Sequence, residues 1–124
     1  MTQCYCCSQV SFEKCCEPIL NGTQKASTAE ILMRSRYSAY ATGNADYLIE
    51  TTHPSTRKLY DKKDILEWSR NNHWIKLEIL ASTENTVTFN AYYLDSQLTA
   101  QKHYEHSLFM FENGCWFYVE GTYQ

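Results

Sequence analysis

Residues 74–93 read WIKLEILASTENTVTFNAYY, and this stretch decides the fold. Its apolar residues recur at every second position, the period of a strand with one buried face. Ile75, Leu77, Ile79 and Ala81 alternate with Lys76 and Glu78. Val87, Phe89, Ala91 and Tyr93 then alternate with Thr88, Asn90 and Tyr92. Downstream, a longer strand runs from about Thr99 to Phe111, and Asn113-Gly114 supplies a tight hairpin turn. The last strand puts Cys115, Phe117 and Val119 on one face and Trp116, Tyr118 and Glu120 on the other.

Upstream of Trp74 the period is 3.6. Ser27-Thr28-Ala29-Glu30 forms a capping box before a helix from about Thr28 to Thr42, which Gly43 stops. Ala29, Leu32, Met33, Arg36, Tyr37 and Tyr40 share one face of it, so Arg36 is the odd residue on a face that should be buried. Asn44 caps a short second helix from Ala45 to about Thr51. His53-Pro54 breaks it, because the residue before proline disfavours the helical region. A third helix from about Lys63 to Asn72 carries Ile65, Leu66, Trp68 and Ser69. Helices first and then four strands with short connections mean an α+β fold on an antiparallel sheet, with a cleft between the layers where pockets form.

The chain has 124 residues, enough for one domain and a small appendage. Its 15% aromatic content, four glycines and two prolines exclude a disordered or collagen-like chain. Eleven basic against 14 acidic side chains leave a net charge of −3, so no global positive field draws nucleic acid or anionic lipid. No run approaches the roughly 18 apolar residues of a membrane span. No apolar segment of a secretory signal accompanies the cysteines. A cytoplasmic location with reduced thiols is the expectation.

Five of the six cysteines, Cys4, Cys6, Cys7, Cys15 and Cys16, lie in the first 16 residues. The order is Cys-x-Cys, eight residues, Cys-Cys. Two tight pairs across a short loop can give four thiolates to one tetrahedral zinc ion, with iron a less common fit. That makes Cys4, Cys6, Cys15 and Cys16 the metal ligands, Cys7 a surplus thiol and Cys115 a packed residue of the last strand. A disulfide, or simply free thiols, is the competing reading. Residues 1–22 then form a cysteine motif with little apolar core, folded largely by its metal, and residues 23–124 form the main domain.

Several segments in the right order resemble the YchJ-like family of small bacterial proteins. Cys4-Tyr5-Cys6-Cys7-Ser8 through Phe12-Glu13-Lys14-Cys15-Cys16 looks like the SEC-C zinc motif. Leu32-Met33-Arg34-Ser35-Arg36-Tyr37 with Ala39-Tyr40, then His53-Pro54-Ser55-Thr56-Arg57, follow. Glu105, Ser107 and Phe109 fit a Glu-x-Ser-x-Phe strand, and Gly114, Trp116, Tyr118, Val119 and Gly121 fit the final hairpin. The resemblance implies a zinc-binding N-terminal motif before an NTF2-like domain, a cone of helices packed on a curved four-stranded sheet. It brings no established reaction. Tyr5 and Cys7 stand in place of the motif's usual proline and first glycine. Gln9, Val10 and Ser11 replace further glycine and lysines. Glycine there would permit positive φ in a metal-knuckle turn. With only Lys14 left of the lysines, docking to an acidic chaperone surface is not expected.

In the main domain, His103, Glu105 and Ser107 share a strand face with Phe109 and Phe111. They read either as a pocket wall with Glu105 as base or anchor, or as a carboxylate tied to Arg34 or Arg36. Adjacent members lie about 6.6 Å apart, so a relay along the strand is not expected. Arg36 reads either as an anion ligand or as a partner of Glu105 and of helix carbonyls. His53 is either an acid–base group or a capping corner. Trp68, Trp74 and Trp116 are expected in the core rather than as a base-stacking platform.

The leading functional reading is a non-enzymatic zinc protein. It would bind a protein partner or small ligand through Arg36, Arg57, Glu105 and Ser107. NTF2-like relatives suggest a homodimer through the open sheet face. The alternative is an isomerase- or dehydratase-like enzyme, with proton transfer by Glu105 beside Arg36 or by His53 and a raised Glu105 pKa. A third reading, redox sensing through Cys7, calls for an exposed low-pKa thiol.

Overall fold

A computed structural model describes residues 3–6 and 8–123. After a 3-10 turn at Phe12–Lys14 come five helices: α1 (Glu17–Leu20), α2 (Ala29–Thr42), α3 (Ala45–Glu50), α4 (Pro54–Arg57) and α5 (Lys62–Asn71). Four strands follow: β1 (His73–Ser82), β2 (Thr86–Leu94), β3 (Ala100–Glu112) and β4 (Cys115–Tyr123). They form one antiparallel sheet in the order β1-β2-β3-β4. This is the α+β order read from the change of period. The strand alternation placed the sheet well. The Asn113-Gly114 hairpin has φ of 53° and 80°, the pair of positive values a tight twisted hairpin needs.

The helix limits fall within a residue or two of expectation, but the cap differs. Thr28, not Ser27, is the N-cap of α2: its side chain accepts the Ile31 N–H at 3.1 Å. Glu30 is thereby freed from a capping box and pairs with Arg34 at 3.2 Å. Gly43 ends the helix at φ 75°, and Asn44 caps α3 through the Tyr47 N–H. A further helix, α4, starts at the proline that breaks the preceding one. Pro54 has no N–H to lose at the first helical position, and the His53 imidazole accepts the Ser55 N–H as N-cap.

Three bulges set which residues face the helices. Ile75 and Leu80 are extra residues in β1, and Val119 is extra in β4. Each shifts the alternation by one and bends its strand. The core face of β1 is therefore Trp74, Leu77 and Ile79, while Ile75 and Leu80 are exposed. Phe111, expected inside with Phe109, is also exposed. Tyr118 and Val119 are both buried, which strict alternation forbids.

Helix α2 spans the concave face of the sheet and touches α1, α3, α5, β1, β2 and β4. It is buried on several sides at once, which explains its fully buried serines. Ser35 donates to the Leu32 carbonyl and meets the Tyr47 hydroxyl at 2.6 Å; Ser38 meets Cys4. Cys4, Cys6, Cys16 and Ile19 belong to the same buried cluster as Leu32, Tyr37, Leu77 and Phe109. The cysteine segment is thus packed onto α2 and joined to the main core. No helix among the described residues is long and apolar enough to cross a membrane.

Candidate functional site

Two constellations carry chemistry. The first is the cysteine cluster. The Cys4 N–H donates to the Val10 carbonyl at 2.8 Å and draws these two residues together as a knuckle. Gln9 completes it at φ 68°, a left-handed conformation that glycine adopts freely and glutamine at a cost. The second pair sits where the 3-10 turn passes into α1. Arg34 of α2 donates to the Cys6 carbonyl at 2.8 Å and fastens the knuckle to the body. The sulfurs of Cys4, Cys6, Cys15 and Cys16 all lie within 4.8 Å of one another. Cys6–Cys15 and Cys15–Cys16 are 3.6 and 3.9 Å apart. Four thiolates at 2.3 Å from a tetrahedral zinc would stand about 3.8 Å apart, so the donor set matches such an ion in kind and spacing. Ser8 lies 3.1 Å from the Cys15 sulfur and Ser38 3.5 Å from that of Cys4, placed to steady the thiolates. Hydrogen bonds from the Cys16 and Cys6 thiols pull the Cys4 thiol down, while burial pushes Cys15 up to about 11. Cys7 falls outside the described residues. Cys115 is not in the cluster.

The second constellation is a cavity of about 530 Å³ between the sheet and helices α2 and α5. Aromatic side chains wall it, among them Tyr40, Tyr60, Trp68, Trp74 and Phe89. Trp68 and Trp74 are thus not simply core: they pack against each other and Tyr93 with tilted rings and border the open space. Exposed Asp61 and Asp64 stand among the lining residues at the start of α5. Deeper in are His103, Glu105, Tyr118 and Arg36.

Glu105 is held by three donors. His103 Nε2 reaches Oε1 at 2.9 Å, Ser107 donates to Oε2 at 2.5 Å, and the Tyr118 hydroxyl donates to Oε2 at 2.9 Å. Burial alone would raise this carboxyl's pKa. The hydrogen bonds from His103, Ser107 and Tyr118, helped by the His103 charge, outweigh it and hold the group below the usual carboxylate value. Room for the carboxylate comes from Gly121: a Cβ there would lie 2.1 Å from Oε2.

The expected salt bridge from Glu105 to Arg34 or Arg36 is not formed. Arg34 is engaged by Glu30 and the Cys6 carbonyl. Arg36 sends Nη1 to the Leu48 carbonyl at 2.9 Å and to Thr51 at 2.7 Å, and lays its guanidinium 4.4 Å over the Tyr118 ring. Tyr118 thus stands between the two charges, touching both.

Other candidates lie elsewhere. His53 faces Glu112 at 2.8 Å through Nε2 and takes the Ser55 N–H on Nδ1; it does not line the cavity. Arg57 closes the end of α3 by donating to the Thr52 and Glu50 carbonyls, also away from the cavity. Ser107 is fully buried behind Glu105. The reading of the sequence missed Tyr118 as the link between Glu105 and Arg36, and missed the Leu59-Tyr60-Asp61 rim. The rim falls in a short connection with no periodicity. Tyr118 had a signal: a tyrosine opposite Phe109 on the face shared with Glu105.

Helices capping the concave face of a curved antiparallel sheet over a cavity, with a cysteine cluster stapled to the longest helix, define an NTF2-like domain joined to a SEC-C-type motif. Residues 28–121 match the YchJ middle NTF2-like domain, and the chain belongs to that family. It is 39% identical over 125 residues to a UPF0225 protein of Geobacter sulfurreducens, covering 95% of this chain and 77% of that one. A UPF0225 protein of Vibrio cholerae is 36% identical over 126 residues, with 97% and 82% covered. The solution structure of a SEC-C motif containing protein from Rhodopseudomonas palustris superposes with a TM-score of 0.89 at 35% identity, over 98% of both chains. A crystal structure of a SEC-C motif containing protein from Psychrobacter arcticus gives 0.76 at 27% identity, over 94% of this chain and 75% of that one.

Proposed function

We propose that this chain binds a small molecule in the cavity beneath α2 and α5, and that the cysteine cluster is a structural zinc site. The state of Glu105 carries the reading. A general base needs a raised pKa and a free lone pair aimed at substrate. Glu105 has a lowered pKa and three donors already on it. It works as a fixed negative group and a scaffold for its neighbours. The aromatic walls leave about 530 Å³ open, the size of a small ligand. A protein partner is the second occupant the same surface would suit.

Residues 1–22 are assigned to the metal motif and 23–124 to the binding domain. One zinc ion held by Cys4, Cys6, Cys15 and Cys16 would have four thiolates and no open position, so its contribution is to fold the knuckles onto α2. Reduced thiols favour a cytoplasmic protein. With a net charge of −3 the reading calls on neither nucleic acid nor a membrane surface. The outer sheet face carries the hydrogen-bonded sets Glu78, Asn90, Tyr92 and Thr88, His106. A homodimer there would have to break or bury that polar network.

The test is a titration of zinc-loaded, ¹⁵N-labelled protein with a set of small acids, amides and amines. Shifts concentrated at Tyr40, Trp68, Trp74 and His103 are expected. No ligand-dependent shifts at those positions would refute the reading.

A second reading has one observation in its favour. His103 borders the cavity and donates to Glu105 at 2.9 Å, the arrangement of an oriented imidazole base. If the domain performs proton transfer, His103 carries the proton and Glu105 orients it.

A further inference from the structure

Arg36 has binding capacity that the described residues do not fill. The residue is only 6% exposed, yet none of the ion pairs among the described residues includes it. Its Nη1 is satisfied by the Leu48 carbonyl and the Thr51 and Thr52 hydroxyls. Its Nε and Nη2 have no hydrogen-bond acceptor among the described residues, and they are not among the sealed atoms left without one. The guanidinium lies 4.4 Å over the Tyr118 ring, and Arg36 is among the residues that line the cavity. A buried guanidinium without a counter-charge is costly, and its fork matches a carboxylate.

The buried carboxylate of the cavity, by contrast, is taken. Both Glu105 oxygens already receive donors. Its buried part therefore offers a spare donor in Arg36, and the remaining carboxylates that line it, Asp61 and Asp64, are exposed. Ionised Glu105 inside and Asp61 and Asp64 at the α5 end oppose a dianion such as a phosphate ester. Tyr40, Trp68, Trp74 and Phe89 supply flat apolar walls.

We infer that the cavity takes a small monocarboxylate with a flat apolar body, its carboxylate forked by Arg36 Nε and Nη2 and its body held between the aromatic walls. This rests on the small-ligand reading above and names its ligand class. It also explains why Glu105 is neutralised by hydroxyls and an imidazole: the arginine is left for the ligand.

Three probes of one shape separate the possibilities on the wild-type, zinc-loaded protein: 3-phenylpropionate, its primary amide, and 3-phenylpropylamine. Each is titrated by NMR, reading the indole and backbone signals of Trp68, Trp74 and Tyr40. The carboxylate is expected to bind about tenfold or more tightly than the amide, the discrimination of one charge-assisted fork. Equal binding of acid and amide overturns the carboxylate inference and leaves the cavity reading standing. Preference for the amine overturns it in favour of a carboxylate anchor, Asp61 or Asp64 at the α5 end or Glu105 inside. No cavity shifts with any probe overturns both. Arg36→Lys keeps the charge and loses the fork. Where circular dichroism shows it folded, it should reduce the acid-to-amide preference, and an unchanged preference would place the carboxylate elsewhere.

Discussion

Gly121→Ala is the sharpest test of how Glu105 is held. Gly121 lies opposite Ser107 in the β3–β4 ladder, and the Glu105 side chain crosses directly over it. An added Cβ would stand 2.1 Å from Oε2, 2.5 Å from Cδ and 2.7 Å from Cγ. All three are inside contact distance, so the carboxylate must move. Oε2 accepts both the Ser107 and the Tyr118 hydroxyls, and a displaced carboxylate cannot keep both. A hydrogen bond to a charged group contributes about 1.5–3 kcal/mol, so losing the pair costs about 3 kcal/mol or more. For a domain of this length each kcal/mol shifts Tm by roughly 3–5 °C, giving a drop of about 10–15 °C in a thermal melt followed by circular dichroism. Gly43→Ala is the control. Its Cβ meets nothing within 4 Å, and only the φ of 75° is strained, a cost of about 1 kcal/mol. Pairing Gly121→Ala with Glu105→Ala should be far less than additive, because the second change removes the atoms the first collides with. A Gly121→Ala loss no larger than the ~0.5 kcal/mol of an ordinary surface substitution would refute the geometry.

Four further outcomes follow from the same structure. Metal analysis under reducing conditions should give one zinc per chain, and Cys15→Ser should lose it together with the chemical-shift dispersion of residues 3–20. Gln9→Gly relieves the left-handed φ of 68° and should stabilise the zinc-loaded protein by about 1 kcal/mol, read as a raised denaturant midpoint. Glu105 has a folded pKa below its unfolded one, so its contribution is present above the ordinary value of 4.5 and is lost as pH falls through the folded value. Urea melts between neutral pH and pH 3 should therefore show a steeper loss for wild type than for Glu105→Gln, and parallel curves would count against an ionised, hydrogen-bonded Glu105. Sedimentation should find a monomer, because the outer sheet face is laid out with paired polar groups; a tight dimer would refute that expectation.

The layer order, the four strands and the cysteine cluster were legible because each rests on local signals. Period 2 after Trp74, Asn113-Gly114, Gly43 and the paired cysteines report conformation or chemistry within a few residues. The bulges were not legible. Ile75-Lys76-Leu77 alternates as cleanly as any strand, and only the pairing with Tyr93 and Tyr92 shows that Ile75 is the extra residue. Trp74, counted outside the alternation, is thereby turned into the cavity wall.

The partner of Glu105 was misread for a related reason. A half-buried carboxylate needs compensation, and arginine on the facing helix is the obvious source when only residue types are known. The structure supplies it from the sheet itself: His103 and Ser107 two residues either side, and Tyr118 from the next strand. Period 2 placed the first two on the right face, but the length of the Tyr118 side chain and the absence of a Cβ at Gly121 decide the geometry. Had Glu105 instead taken Arg36, the cavity would hold a closed ion pair and little reason to bind anything charged. Because hydroxyls and an imidazole satisfy the carboxylate, the guanidinium has no ion-pair partner among the described residues and lies over the face of the Tyr118 ring. The same residues that stabilise the sheet therefore set the charge preference of the cavity.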